Sequence, residues 1–288
     1  MSSLKSASWA AIAVAAACLG ALYGPVAMRL VGDWANDGNY SHGFFIVPLA
    51  LYFAWERRAA LLTTPKRPHV LGLVVVIGGL AVLVAGLLGA ELFLTRVSFI
   101  AVLTGAIAFV LGWPHVRLLA FPLAFLLLMI PIPAIIFNQI AFPLQLLASR
   151  CGEFVLSTAG IPVLREGNVI ILAHTTLEVA EACSGIRSLV SLLTLGVVYG
   201  YFVDPRGPVR LAITLSTVPI AIFANAGRVA GTGIAAHYYG QAAAEGFFHT
   251  FSGWLVFVVS FTLLFAVAKS LISLAPQPIP ASSNAATA

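Results

Sequence analysis

The chain has 288 residues, of which 60% are hydrophobic and only 9% are charged, and its mean hydropathy is +1.01. A soluble domain carries about 25% charged residues, so this composition excludes a water-soluble globular protein and predicts an integral membrane protein. The net charge of +5 does not indicate binding to nucleic acid, because Lys and Arg in a membrane protein chiefly set its orientation.

Apolar runs predict eight membrane-spanning helices, several of them shorter than the ~20 residues of an untilted span. Their approximate ranges are 8–30, 43–55, 70–90, 97–113, 118–137, 185–203, 209–226 and 247–268. The expected fold class is therefore an all-α integral membrane protein, a polytopic bundle of about eight transmembrane helices. We expect one domain over residues 1–273, followed by a disordered Pro/Ala/Ser-rich tail at 274–288.

The basic loops predict the orientation of these spans. A cytoplasmic N-terminus places Arg57, Arg58, Lys66 and Arg67 on the inner side, in agreement with the positive-inside rule. The C-terminus is then cytoplasmic as well, and the polar loop 31–42 faces outward.

The longest segment without a predicted span, residues 138–184, also falls on the outer side. Within it, 138–158 is typical of an interfacial helix, and VIILAHTTLEV at 169–179 is typical of two short strands around a turn. Before it, the PIP sequence at 131–133 is expected to kink or end the fifth span.

Three chemically competent residues are predicted to reach the same outer membrane level. Cys183 precedes span six, Arg228 ends span seven and His249 begins span eight. A thiolate is a strong nucleophile, and a helix N-terminus with nearby positive charge favours it. His249 could transfer protons, and Arg228 could stabilise an oxyanion.

Other polar residues are candidates to support this site. Arg187 adds positive charge one helical turn after Cys183, whereas Glu181 opposes the thiolate unless it is paired. Four further candidates are Ser184 at the helix start, His42 in the first outer loop, Asn225 before Arg228, and His237 as a rival base for His249.

Each of these residues also has an ordinary structural interpretation. A cysteine near a helix end is often a small packing residue, Arg and His at span ends often anchor to lipid headgroups, and a polar run such as EACSG can simply cap a helix. Three cysteines form no metal-ligand or disulfide pattern, and the sequence indicates no metal and no cofactor.

Five stretches of the sequence resemble the exosortase family. They are NYSHGFFIVP at 39–48, PIP at 131–133, GIPVLREGNVIILAHTTLEVAEACSGIRSL at 160–189, NAGRV at 225–229 and HTFSGW at 249–254. The resemblance implies an eight-span cysteine peptidase or transpeptidase of the bacterial inner membrane, with Cys183, Arg228 and His249 as catalytic residues at the periplasmic face.

The resemblance also implies the partners of the protein. These are membrane-anchored proteins with a C-terminal sorting signal, made of a short Pro-Glu-Pro-type (PEP-CTERM-like) motif, a spanning helix and a basic tail. Two rival functions remain open at this point: a polytopic transporter or channel, and a membrane lipid acyltransferase that uses the same cysteine.

Overall fold

The computed structural model describes residues 2–173, 175–179, 185–240 and 247–275, with side chains from residue 17 onward except at 247–250. Within these residues the chain is mainly helical. The helices are α1 (Ser2–Asn36), α2 (Gly43–Glu56), α3 (Arg58–Thr63), α4 (Leu71–Leu88), α5 (Leu92–Val110), α6 (Trp113–Leu118), α7 (Ala120–Phe125), α8 (Ala134–Thr158), α9 (Ile186–Val203), α10 (Gly207–Tyr239) and α11 (Phe247–Leu274). The strands are β1 (Val163–Glu166), β2 (Val169–Leu172) and β3 (Thr176–Glu178).

Five helices of the described chain are long and apolar enough to cross a membrane. They are α4, α5, α9, α10 and the Phe251–Leu274 part of α11; a sixth candidate is the broken pair formed by Ala120–Met129 and α8. Helix α2 has only 14 residues, about 21 Å of helix, against a hydrocarbon core of about 30 Å. The described residues thus confirm a polytopic helical membrane protein and show five or six candidate spans rather than the eight predicted.

The chain divides into two compact units, Met1–Phe137 and Asn138–Ala288. In the first unit, α4 and α5 pack closely because α4 carries glycines at seven-residue intervals. A Cβ atom at Gly72, Gly79 or Gly86 would lie within 3.0 Å of Phe109, Val102 or Thr95, respectively, on α5. Small residues at such positions let helix backbones approach, which is the usual way that helices associate in membranes.

The first unit also contains the helix break predicted at PIP. Helix α7 continues as a 3₁₀ turn (Leu126–Met129) and ends there, and Ile130 is extended. Two side chains from the first polar loop and its flank satisfy the last carbonyl groups: Trp34 Nε1 donates to the Met129 oxygen at 2.9 Å, and His42 Nε2 donates to the Leu128 oxygen at 3.1 Å. These bonds stabilise the break because an unsatisfied buried carbonyl costs about 1–3 kcal/mol.

In the second unit, α9, α10 and α11 form a bundle around a shared apolar core that includes Leu192, Ile213, Ala221 and Leu264. Helices α9 and α10 are antiparallel, since only residues 204–206 connect them. Arg206 binds Asp204 through Nε at 2.9 Å and Nη2 at 2.6 Å.

A further bond fixes the direction of α11 in the bundle. Arg206 Nη1 donates to the Ala275 oxygen at 3.2 Å, which ties the chain just after α11 to the start of α10. Helix α11 is therefore antiparallel to α10, and the first residues of α9 and of α11 both lie at the opposite end of the bundle from Arg206.

The sheet of the second unit is an antiparallel meander in the order β1-β2-β3. The two strands predicted within 169–179 are present as β2 and β3. Strand β1 is an additional strand that the sequence pattern does not predict. The predicted interfacial helix at 138–158 begins four residues earlier, at Ala134, because the helix resumes directly after Pro133.

Candidate functional site

Gly185 forms the start of α9 in a backbone conformation that favours glycine. Its φ is +82° and ψ is 0°, in the left-handed region, and it is the N-cap residue of the helix. Its carbonyl accepts the Leu189 amide at 2.8 Å, which begins the helical hydrogen-bond pattern. The left-handed conformation costs about 1–2 kcal/mol for any residue that has a Cβ atom. The chain therefore enters α9 at Gly185, the one glycine of the CSGIR sequence.

Asn225, forty residues later in the chain, packs directly against Gly185. A Cβ atom on Gly185 would lie 2.7 Å from Asn225 Cγ and 2.9 Å from Asn225 Cβ. Asn225 is only 2% exposed. The contact therefore fixes the start of α9 against the middle of α10.

Arg228 lies on α10 three residues after Asn225, about one helical turn further along. Its neighbour Val229 is buried in a second apolar core, together with Leu156 of α8 and Ile170 of β2. The backbone that carries Arg228 is thus held between α9, α8 and the sheet.

Glycines bring α8 close to this part of α10. A Cβ on Gly152 of α8 would lie 2.9 Å from Val229 Cγ1, and a Cβ on Gly233 of α10 would lie 2.8 Å from Leu156 Cδ1. The sheet is joined to α8 by Ser149 Oγ, which donates to the Gly167 carbonyl oxygen in the β1–β2 turn at 3.0 Å. An ion pair between Arg165 and Glu153 at 2.8 Å adds a further link between β1 and α8.

The predicted nucleophile and two of its predicted neighbours lie outside the described residues. These are Cys183, Glu181 and Ser184. His249 lies in the first turn of α11, where the helical backbone is described and the side chain is not. Arg187 is exposed in the first turn of α9, two residues after Gly185.

His42 lies in the first unit, where its Nε2 donates to the Leu128 carbonyl and its ring is partly buried. It is the N-cap residue of α2, but its side chain makes no capping bond. Burial lowers the pKa of His42 from its usual value, and the bond to Leu128 opposes that shift only in part. The observed role of this side chain is to support the break at residue 130.

His237 lies near the end of α10, nine residues beyond Arg228, with its ring 4.9 Å from that of Tyr238. Nine residues correspond to about 13.5 Å along a helix. His237 is therefore separated from Arg228 by two and a half turns of the same helix.

The sequence pattern does not predict Gly185 as a residue of the site, although it predicts the start of a helix there. The available signal was the glycine directly after Cys183-Ser184 and before an apolar helix, a position where a left-handed N-cap needs a residue without Cβ. The identity of its partner, Asn225, had no local signal.

A family model described as transmembrane exosortase matches residues 34–266 of the chain. The matched range covers well over half of the 288 residues and includes Cys183, Gly185, Asn225, Arg228 and His249. No curated protein and no solved structure matches the chain at a significant level.

Proposed function

Because this chain belongs to the transmembrane exosortase family, we propose that it cleaves membrane-anchored proteins by cysteine chemistry and transfers the acyl fragment to a second nucleophile. Its substrates would carry a C-terminal sorting signal, which consists of a Pro-Glu-Pro-type motif, a spanning helix and a basic tail. The active site would face the periplasm from the bacterial inner membrane, with both termini of the chain in the cytoplasm.

The contact between Gly185 and Asn225 is the observation that carries this proposal. Cys183 is two residues from Gly185, a separation that a fully extended chain covers in at most about 7 Å. Arg228 is about 4.5 Å further along α10 than Asn225. The contact therefore supports a site in which the thiol of Cys183 and the guanidinium of Arg228, far apart in the sequence, both reach one scissile peptide bond.

The bundle geometry favours His249 over His237 as the third member. Measured from the end tied by Arg206, Arg228 lies about 32 Å along α10 and His249 about 38 Å along the antiparallel α11. His237 lies about 45 Å along α10. His249 is thus nearer to the level of Arg228 by about 7 Å, which supports its assignment as the proton-transfer residue.

In the first chemical step, the Cys183 thiolate attacks the scissile carbonyl carbon and its π electrons move to the oxygen. The positive end of α9 and the exposed Arg187 favour the thiolate form. Arg228 stabilises the tetrahedral oxyanion, since it stays charged at any biological pH.

In the second step, the carbonyl re-forms and the C–N bond breaks, while protonated His249 gives its proton to the departing amine. This leaves a thioester on Cys183, together with the released spanning helix and basic tail. An amine acceptor, or water, then attacks the thioester carbonyl while neutral His249 accepts its proton. The C–S bond breaks, which regenerates the Cys183 thiolate and protonated His249.

The decisive experiment measures cleavage of a substrate with the cognate signal in membranes that contain Cys183→Ala or Cys183→Ser. We expect both to lose at least about a thousandfold in rate, because the nucleophile is removed. Cys151→Ser, at the partly buried cysteine of α8, is the matched control and should keep full activity. Mass spectrometry of the wild-type enzyme should find the thioester on Cys183.

The role of Arg228 is tested in the same assay with Arg228→Gln. Loss of an oxyanion-stabilising group typically costs about 100- to 1,000-fold in rate. Arg150→Gln, at an exposed arginine of α8, should change the rate little. Normal cleavage by the Cys183 variants would rule out the cysteine mechanism, and normal cleavage by Arg228→Gln would remove Arg228 from it.

A further inference from the structure

The sheet of the second unit has β3 at one edge, and its hydrogen bonds fix which residues of β3 face β2. The Val179 amide donates to the Asn168 carbonyl at 2.9 Å, and the Leu172 amide donates to the Thr175 carbonyl at 2.8 Å. In an antiparallel pair, residues that bond to the partner strand alternate with residues that face away from it. Thr175, Leu177 and Val179 therefore face β2.

The two intervening residues, Thr176 and Glu178, direct their backbone N–H and C=O groups to the outer side of β3. These four groups have no backbone partner among the residues that the structure describes, and both residues are exposed. Two residues of a strand span about 6.5–7 Å, which is the repeat at which another extended peptide offers its own backbone groups. A free strand edge of this kind is a template for pairing with a further strand.

The edge is held in place by the packed face of the sheet. Leu177 packs against the apolar core that contains Ile170 of β2 and Leu156 of α8. Because this core orders the strand in advance, an added peptide would lose mainly its own conformational freedom on binding.

Strand β3 also leads to the candidate site. Val179, the residue after β3, lies in the same core as Val229, which adjoins Arg228 on α10. Cys183 follows Val179 by four residues, a separation of at most about 14 Å. A peptide paired with β3 would therefore lie beside the segment that joins the sheet to the candidate nucleophile.

We propose that the outer edge of β3 binds the sorting motif of the substrate as a fourth strand of the sheet. The identity of this peptide rests on the proposed function. A Pro-Glu-Pro motif suits an edge, because prolines two residues apart share one side of a strand and lack an N–H there. The glutamate between them presents its N–H and C=O to β3, and the prolines prevent a fifth strand from pairing.

The test measures peptide binding separately from cleavage, with the full chain carrying Cys183→Ala in detergent micelles. The probe is a labelled peptide that contains the Pro-Glu-Pro motif, an apolar helix of about 20 residues and a basic tail. An ester in place of the amide of the motif glutamate removes one N–H and should weaken binding about fivefold. The same ester at the second residue after the motif, which faces away from β3, should not.

Variants of the chain identify the edge. Glu178→Pro removes an outward N–H without breaking a bond to β2, and Leu177 before it is already extended, as a residue before proline must be. It should bind the peptide about fivefold more weakly than Glu178→Ala, which keeps the N–H. Val163→Pro is the control at the opposite edge, because Val163 pairs with Leu172 and faces away from β2.

Equal binding of the two ester peptides would overturn the proposal. Weaker binding by Val163→Pro alone would move the peptide to β1, and a changed oligomeric state of Glu178→Pro with unchanged peptide binding would assign the edge to a second copy of the chain. If the wild type cleaves its substrate and both esters bind equally, this inference fails and the proposed function stands. Ester-sensitive binding without cleavage by the wild type would give the reverse result.

Discussion

Gly185 and Asn225 are in van der Waals contact although forty residues separate them, and no Cβ atom fits between them. This contact holds the first turn of α9 against α10 at the position from which Arg228 projects one turn later. Two demands meet at Gly185: the left-handed backbone that begins the helix and the close approach of a buried amide side chain. Either demand alone would favour glycine, and together they allow little else.

Gly185→Ala is expected to reduce substrate cleavage about 100-fold, because a shift of about 1 Å in a catalytic group can cost that much. The alanine Cβ would displace Asn225 and would also pay about 1–2 kcal/mol for its left-handed conformation. The rate of cleavage and the amount of folded protein in membranes are measured together.

Gly167→Ala separates these two effects. Gly167 in the hairpin turn has φ +64°, and nothing lies within 4 Å of a Cβ added there. Gly167→Ala therefore strains the left-handed backbone without a steric clash, and it should retain most of its cleavage activity. If both variants lost activity equally, backbone strain rather than the contact with Asn225 would be responsible.

The bundle geometry predicts that His249→Ala loses cleavage and that His237→Ala retains it. Removal of a general acid–base group typically costs about 100- to 10,000-fold in rate. Rates measured across a range of pH identify the residue further. The part of the pH–rate profile that the catalytic histidine causes should disappear in His249→Ala and persist in His237→Ala. The reverse result, with loss in His237→Ala alone, would make His237 the proton-transfer residue.

The neighbouring glycines of α4 provide a test of helix packing in the first unit. Gly79→Ala should lower the free energy of unfolding by about 1–3 kcal/mol, because the new Cβ would lie 2.7 Å from Val102 Cγ2 and the Val102 side chain is stiff at χ1. At Gly78 nothing lies within 4 Å of an added Cβ, so Gly78→Ala should be neutral or slightly stabilising. Reversible unfolding in mixed micelles measures both, and equal losses would contradict the close packing of α4 on α5.

The pKa of His42 predicts a stability that falls in mild acid. Burial lowers this pKa below the usual value of about 6.5, so the unfolded chain binds a proton more readily than the folded one. The contribution of His42 to the free energy of unfolding is complete above about pH 6.5. It is lost as the pH falls from there through the lower pKa of His42 in the folded state.

The unfolding temperature of the wild type, followed from neutral to mildly acidic pH in micelles, checks this expectation. His42→Gln should be less stable at neutral pH and should lose this part of the pH dependence. His69→Gln, at an exposed histidine of the same unit, is the control substitution. A pH dependence that persists in His42→Gln would assign it to another group.

Much of the helical framework was predictable because hydropathy reports the apolar length of a segment. The runs that became α4, α5 and α9 are almost continuously apolar, and Pro131 and Pro133 mark the break because proline cannot continue a helix. The sequence also predicted the strands of 169–179, where β-branched residues cluster on both sides of a turn.

The rest depends on contacts that no local pattern encodes. Helix α10 continues to Tyr239, thirteen residues beyond the predicted end of its span at 226, because Gly233 packs on Leu156 and Ala236 joins the same core. Strand β1 reads Val-Leu-Arg-Glu, without the alternation of apolar and polar residues that predicts a strand, and it pairs with β2 from Val163 to Glu166. For the candidate site, the residue types were visible in the sequence, whereas the partnership of Gly185 with Asn225 required the tertiary structure.

The bonds from Trp34 and His42 to the carbonyls of residues 129 and 128 bear on how the protein is made. The donors precede their acceptors by 95 and 86 residues, so both have already left the ribosome when the broken helix emerges. Newly inserted helix ends with open carbonyls are unfavourable in hydrocarbon. Synthesis from the N-terminus therefore supplies the partners before they are needed, and circular permutants that place Trp34 and His42 after residue 130 should insert less efficiently.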